Sequence, residues 1–506
     1  MSKKIKTIDE LANIISDLKS QGKKIVQCHG VFDLIHIGHI KHFEEAKSFG
    51  DILVVSITPD QFVNKGPGRP AFSTPLRLEF LAGIELIDFV VANQWPGAEE
   101  LLKTLKPNIY CKGPDYKDHL DDLTGKIDDE TLAIESVGGE IVYTDDITFS
   151  SSNLLNKFGN LFSKQQELLI QNIVKKYKFE QINTILEDIK KLKVLVVGEA
   201  IIDQYVFCEA LGKSGKEPVL VLRNIKTENY LGGSLAIARH LNDFCNNISV
   251  LSFLGEDKEY EDFIEETIED SIELNFLTKS NSPTIVKRRY VDNNDKKKVL
   301  GVYSINDNLL NPDEEQSFLD SLEAKSKEYD LVIVSDYGHG IITSKIATYL
   351  SELDNFVSLN TQVNAANIGT HNIKKYRNIN SLIINATELL YEMRKRDGDI
   401  GKMAIELKSA INSDFITVTQ GKDGALLYNK QNILSQSPGF ASKVVDKVGS
   451  GDALLALLSI CLASGVDEEL SLFIASVGAA QSVESIGNSS PVSKISLLKT
   501  ISHFMK

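Results

Sequence analysis

Residues 29–51 read HGVFDLIHIGHIKHFEEAKSFGD and follow the apolar run KKIVQC at 23–28. A short apolar run ending in a glycine turn, followed by a helical pattern, is the opening strand–turn–helix of a parallel α/β domain. In such folds ligands gather where the strand's carboxyl end meets the next helix. The run delivers Gly30, Phe32 and Asp33 into the turn and places His36 and His39 at the helix start. Unpaired N–H groups and the helix dipole make that start a phosphate site. Two imidazoles flanking the small Gly38 can add hydrogen bonds to a phosphate whose charge grows in a transition state. Other readings of His29, His36 and His39 are core packing, helix capping and metal ligation. An i, i+3 pair with no further Cys or His at ligand spacing carries no zinc signature.

Composition narrows the function classes. A chain of 506 residues needs more than one core. With 42% hydrophobic and 25% charged residues it has the mix of a globular protein. A net charge of −15 argues against a nucleic-acid partner, since phosphate backbones require a basic face. The five cysteines are scattered without a CxxC spacing, so neither a disulfide framework nor a zinc cluster is expected, and a reducing cytoplasm fits. No apolar run reaches membrane-spanning length, and no membrane partner is expected.

The strand–turn pattern restarts at VLVVGEAIIDQYVF, residues 194–207, where Asp203 follows an apolar run. Between the two starts the chain has helical periodicity with little Pro or Gly. The expected organisation is a first domain over 1–157, a helical connector over 158–192 and a second domain over 193–506. Both domains should be α/β, each a doubly wound parallel sheet.

Downstream of the opening stretch lie RLEFLAGIELIDFVV from Arg77, KPNIYCKGPDY from Lys106, and the serine-rich TFSSSNLL from Thr148. Taken together, in this order, they resemble the cytidylyltransferase-like nucleotidyltransferases over residues 22–157. The resemblance implies attack by a sugar or alcohol phosphate on the α-phosphorus of a nucleoside triphosphate, with release of pyrophosphate. It implies that His36 and His39 stabilise the α-phosphate. It also implies that Gly30, Phe32, Asp33, Arg77, Lys112, Asp115, Ser150 and Ser151 surround the nucleotide. ATP is expected, with CTP the other candidate.

The second half carries VVDKVGSGDALLALLSICLASG at 444–465. Here a glycine turn (Gly449, Ser450, Gly451) leads to Asp452 at the start of an apolar helix. Such a turn forms an anion hole for a transferring phosphoryl group, and Asp452 is placed to accept a hydroxyl proton. With LGGSLAIARHL, SLIINATELL and ITVTQGKDGALLY, this half resembles the ribokinase-like (PfkB) carbohydrate kinases over about residues 190–500. The resemblance assigns Asp203, Gly232 and Gly233 to the sugar, and Thr419 and Gly421 to ATP. It assigns Asn385 and Glu388 to magnesium. EPVLVLRNIK and TIVKRRYVDNNDKKKVLGVYSI have the alternation of strands for a small β lid.

A kinase joined to a nucleotidyltransferase implies consecutive steps toward a nucleotide-activated sugar. The pairing resembles the bifunctional heptose kinase/nucleotidylyltransferases of surface-polysaccharide synthesis, with the domain order reversed. The implied partners are a sugar or sugar phosphate, nucleoside triphosphates and Mg2+, and a homodimer is compatible with this. The departures GGSLAIA and LNTQVNAAN motivate an alternative, in which an active nucleotidyltransferase carries a non-catalytic kinase-like half that is a sugar-binding or regulatory module.

Overall fold

A computed structural model describes residues 2–63, 69–113, 126–144, 162–364, 366–369 and 372–505. The chain divides into two compact units, one formed by Met1–Ser163 with Leu498–Lys506 and the other by Lys164–Leu497. The helices Lys164–Lys176 and Phe179–Ile189, within the stretch read as a connector, group with the second unit.

In the first unit, β1 (Ile25–Gly30), β2 (Ile52–Ile57), β3 (Phe89–Ala92), β4 (Ile109–Lys112) and β5 (Glu140–Tyr143) form a sheet of order β3-β2-β1-β4-β5. All neighbours are parallel. Helices cover both faces of such a sheet, which is why β1 and β2 are nearly continuous apolar runs rather than alternating ones. The strand order reverses between β1 and β4. The crevice outside the carboxyl ends at such a point is where α/β folds take ligands. Here those ends carry Gly30 and Lys112.

The second unit is built on β6 (Lys193–Gly198), β9 (Asn247–Gly255), β10 (Ile272–Lys279), β13 (Leu331–Asp336), β14 (Phe356–Thr361), β15 (Ser381–Asn385) and β16 (Phe415–Thr419), with β17 (Ala425–Tyr428) and β18 (Leu434–Ser437) at one edge. Their order is β10-β9-β6-β13-β14-β15-β16-β17-β18, parallel except for the antiparallel edge pair. The helix Ser450–Ala463 is apolar all round because every residue from Ala453 to Leu462 is buried. A separate four-stranded sheet has the order β12-β11-β7-β8, from β7 (Ala200–Lys213), β8 (Leu220–Gly233), β11 (Ile285–Asp292) and β12 (Lys298–Ser304). These strands include the two segments read as lid strands. Among the described residues no helix is long and apolar enough to cross a membrane.

Candidate active sites

The three histidines of residues 29–39 take different places in the first unit. His29 is a strand residue: its Nδ1 lies 2.9 Å from Ser56 Oγ and its Nε2 3.2 Å from Thr58 Oγ1, so it bridges β1 to β2 and the loop after β2. His36 is the N-cap of the helix Ile37–Ser48, and its backbone N–H donates to His39 Nδ1 at 3.3 Å. An Nδ1 that accepts leaves the neutral ring's proton on Nε2, so His39 offers an Nε2–H donor. The two rings lie 4.0 Å apart, and Phe32 meets His39 edge to face. Burial lowers the pKa of His36.

The turn before the helix is held from below. Phe32 adopts a left-handed φ of 47°. Its ring folds back so closely that a Cβ on residue 30 would stand 3.1 Å from it, so a larger residue there would push against the Phe32 ring. Asp33 accepts the N–H groups of Ala71 and Phe72 at 2.8 and 3.0 Å.

Arg77 is 2% exposed, and its guanidinium donates to the carbonyls of Val31, Phe72 and Thr58 and to Asp60. In this arrangement Asp33 and Arg77 tie the turn to the segment that precedes the helix Thr74–Ala82. Lys112 pairs with Glu130 at 2.6 Å, both side chains being less than a tenth exposed. Asp115, Ser150 and Ser151 lie outside the described residues.

A prediction follows from the bonding of Arg77. Arg77→Met leaves the buried Thr58 carbonyl and the part-buried Val31 carbonyl short of a donor, at about 1–3 kcal/mol for a buried unsatisfied group. The melting transition of the first unit should fall measurably in thermal unfolding. An unchanged melt with lost nucleotidyl transfer would instead move Arg77 to direct ligand contact.

In the second unit the fold gathers residues far apart in sequence. Asp452 sits in the first turn of Ser450–Ala463, behind Gly449 with its φ of 93°. The Tyr337 hydroxyl donates to Asp452 Oδ1 at 2.8 Å. Burial pushes the Asp452 carboxyl up to about 6; the Tyr337 hydrogen bond opposes this and the nearby charge of Asp203 reinforces it. Asp203 is paired with Arg289. A Cβ on Gly232 would come within 2.7 Å of Asp203 Oδ2, so glycine there makes room for the carboxylate. Gly233, at φ 60°, is the N-cap of the helix Ser234–Leu241.

Asp446 anchors the glycine turn. It accepts from Tyr205 at 2.5 Å, from Lys298 at 2.6 Å, and from the N–H groups of Val448 and Gly487 at 3.2 Å. Burial raises its pKa, but the Lys298 and Tyr205 hydrogen bonds outweigh that and hold it below the usual carboxylate value.

Asn385 and Glu388 form a capping box on the helix Ala386–Glu392, each side chain accepting the other's backbone N–H. Burial pushes Glu388 up to about 7. Thr419 ends β16, and Gly421 follows with a φ of 60°.

Sequence reasoning missed several contributors. Lys287 and Arg289 come from β11 and Lys298 from β12, so the lid sheet brings three cations to the carboxylates of the second site. The Lys287 ammonium stands 4.6 Å above the Tyr337 ring. The signal was the basic alternation in TIVKRRYVDNNDKKK, read only as strand. Glu199, fully buried, accepts the N–H groups of Tyr337 and His339 and so shapes the loop that presents Tyr337.

A parallel-centred sheet, a small β lid and an aspartate in the first turn of a glycine-led helix define a ribokinase-like fold. Residues 191–495 match the pfkB family of carbohydrate kinases, and the chain belongs to that family. Residues 28–158, ahead of it, match the cytidylyltransferase-like family. Among relatives, bifunctional protein HldE of Geobacter metallireducens is 37% identical over 168 residues, 32% of each chain. Bifunctional protein HldE of Campylobacter jejuni is 27% identical over 302 residues, 59% of this chain and 62% of that one. The chain thus spans about a third of the length of the first relative and under two thirds of the second. A ribokinase from Thermotoga maritima aligns with a TM-score of 0.48 at 19% identity, over 61% of this chain and 99% of that one.

Proposed function

We propose that the protein is a bifunctional enzyme, a sugar kinase and a sugar-phosphate nucleotidyltransferase, that makes a nucleotide-activated, heptose-like sugar for surface-polysaccharide synthesis. The observation that carries the reading is the juxtaposition of Asp452, Tyr337 and Asp203 behind the glycine turn. It supports a sugar-binding carboxylate and a proton acceptor side by side.

In the kinase half, Asp203 orients the sugar and Asp452 takes the proton of the attacking hydroxyl. The first-turn N–H groups behind Gly449, Ser450 and Gly451 hold the transferred phosphoryl group, since a helix start leaves its N–H groups without intrahelical partners. The hydroxyl oxygen forms a bond to the γ-phosphorus of ATP as the bond to the ADP oxygen breaks. Thr419 and Gly421 border the ATP. Oxygen donors suit Mg2+, and Asn385 and Glu388 are the residues that would hold it, where it would neutralise triphosphate charge. In the nucleotidyltransferase half, a sugar phosphate oxygen attacks the α-phosphorus of ATP and pyrophosphate leaves. His36 and the Nε2–H of His39 stabilise the charge that develops. A reducing cytoplasm suits the five free, buried cysteines.

The test is a panel of seven-carbon and related sugars and sugar phosphates with ATP and CTP, followed by phosphorus NMR. Sugar phosphate, nucleotide sugar and pyrophosphate are the expected products. Turnover of none of the panel in either step would overturn the reading.

The pH dependence of the kinase step is a further prediction. Asp452 must be deprotonated to accept a proton, and its carboxyl is pushed up to about 6. Sugar-dependent ADP formation should therefore rise through pH 6, with the rate at pH 5 about a tenth of the plateau. Initial rates measured across this range would reject the assignment if the acid limb fell below pH 4.5.

A further inference from the structure

Scattered in sequence, Cys28 and Cys111 become direct register partners on the adjacent parallel strands β1 and β4. Both are buried. His42 comes from the helix Ile37–Ser48, and one ligand atom from each of the three residues lies within 4.8 Å of the others. The Nδ1 of His42 stands 3.0 Å from Thr144 Oγ1, and Thr144 is itself fixed by its N–H bond to the Lys112 carbonyl at 2.9 Å. A hydroxyl on one ring nitrogen is the kind of outer partner that orients a ligating imidazole.

We propose that Cys28, Cys111 and His42 bind a thiophilic dication of the zinc class, a site separate from the phosphate chemistry of His36 and His39. Zinc–sulfur and zinc–nitrogen distances of about 2.3 and 2.0 Å place tetrahedral ligand atoms roughly 3.5–3.8 Å apart, so closing the present cluster takes a shift of about 1 Å. Binding releases the two thiol protons to solvent. Two thiolates and a neutral imidazole then cancel the dication's charge, which is the condition for burying an ion in an apolar core. Water takes the fourth position. The ion would pin the helix bearing His36 and His39 to two strands of the sheet that feeds the first site. Sequence spacing gave no zinc signature because the ligands lie on three elements and meet only through strand pairing.

The test uses the full chain, reduced, stripped with chelator and titrated with Co2+. Wild type should develop a thiolate-to-cobalt charge-transfer band that saturates at one equivalent and is displaced by Zn2+. Cys111→Val, which keeps a core-sized apolar side chain, should lose the band. His42→Gln should weaken cobalt binding by more than about tenfold. The control Cys208→Ser should leave the band unchanged. A folded, reduced wild-type chain without the band overturns the proposal, whatever the stability of the variants. So does an equal band in folded Cys111→Val.

Discussion

His39→Ala should all but stop pyrophosphate release from ATP and a supplied sugar phosphate, and should leave sugar-dependent ADP formation at the wild-type rate. The loss expected is about a hundredfold to a thousandfold, or about 2.7–4 kcal/mol, the usual effect of removing one preorganised donor from a transition-state oxyanion. The basis is local. His39 sits at the start of the helix Ile37–Ser48 and its Nδ1 accepts the His36 N–H, which puts the ring's own proton on Nε2, the donor the proposed role requires. The ring is held by the edge-to-face contact with Phe32, which the left-handed turn fixes. His36→Ala should lose transfer on the same scale. The double variant should lose less than the product of the two, because on the proposed reading rings 4.0 Å apart would serve one phosphate. A coupled pyrophosphate assay run beside an ADP assay on the same samples decides it. Near-wild-type pyrophosphate release in His39→Ala would remove the histidines from the chemistry. Loss of both activities together would point to a folding defect rather than a catalytic one.

The parts legible in the sequence are those whose signal is local. The run KIVQCHG, the glycine turn and the following helix are contiguous, so strand, turn and helix start could be read from periodicity and turn chemistry. The same holds for Gly449–Asp452 ahead of an all-apolar helix. What could not be read is what tertiary pairing creates. Arg77 looks in sequence like an exposed helix charge or a nucleotide contact. Only the packing of the turn against the helix Thr74–Ala82 turns its guanidinium onto backbone carbonyls. Lys112, at the end of β4, meets Glu130 of the helix Lys126–Ser136. Asn385 and Glu388 satisfy each other's backbone N–H groups, a role that their N-x-x-E spacing permits as readily as metal binding. The cations Lys287, Arg289 and Lys298 alternate along lid strands. Which face they present is set by the β7–β11 register, where Lys287 lies opposite Asp203.

Asp452→Asn should lower sugar-dependent ADP formation by about a hundredfold to ten-thousandfold, the range of general-base catalysis, while ATP binding stays nearly unchanged. The substitution keeps the shape and leaves an oxygen to accept the Tyr337 hydroxyl, which in wild type donates at 2.8 Å, so the helix start and its N–H groups should persist. What disappears is a carboxylate whose pKa burial has brought up to about 6, close enough to neutrality to take a proton as the hydroxyl attacks. The acid limb of the wild-type profile should vanish with it, which separates loss of the base from loss of packing. Nucleotidyl transfer to supplied sugar phosphate should survive, because His36 and His39 belong to the other unit. Equal activity of wild type and Asp452→Asn would refute the ribokinase-like mechanism for this chain. A wild-type protein that binds sugar and forms no sugar phosphate would instead make the second unit a sugar-binding module. In that case Asp203, Gly232 and the Arg289 pair would still account for recognition, and Asp452 would serve only to hold Tyr337.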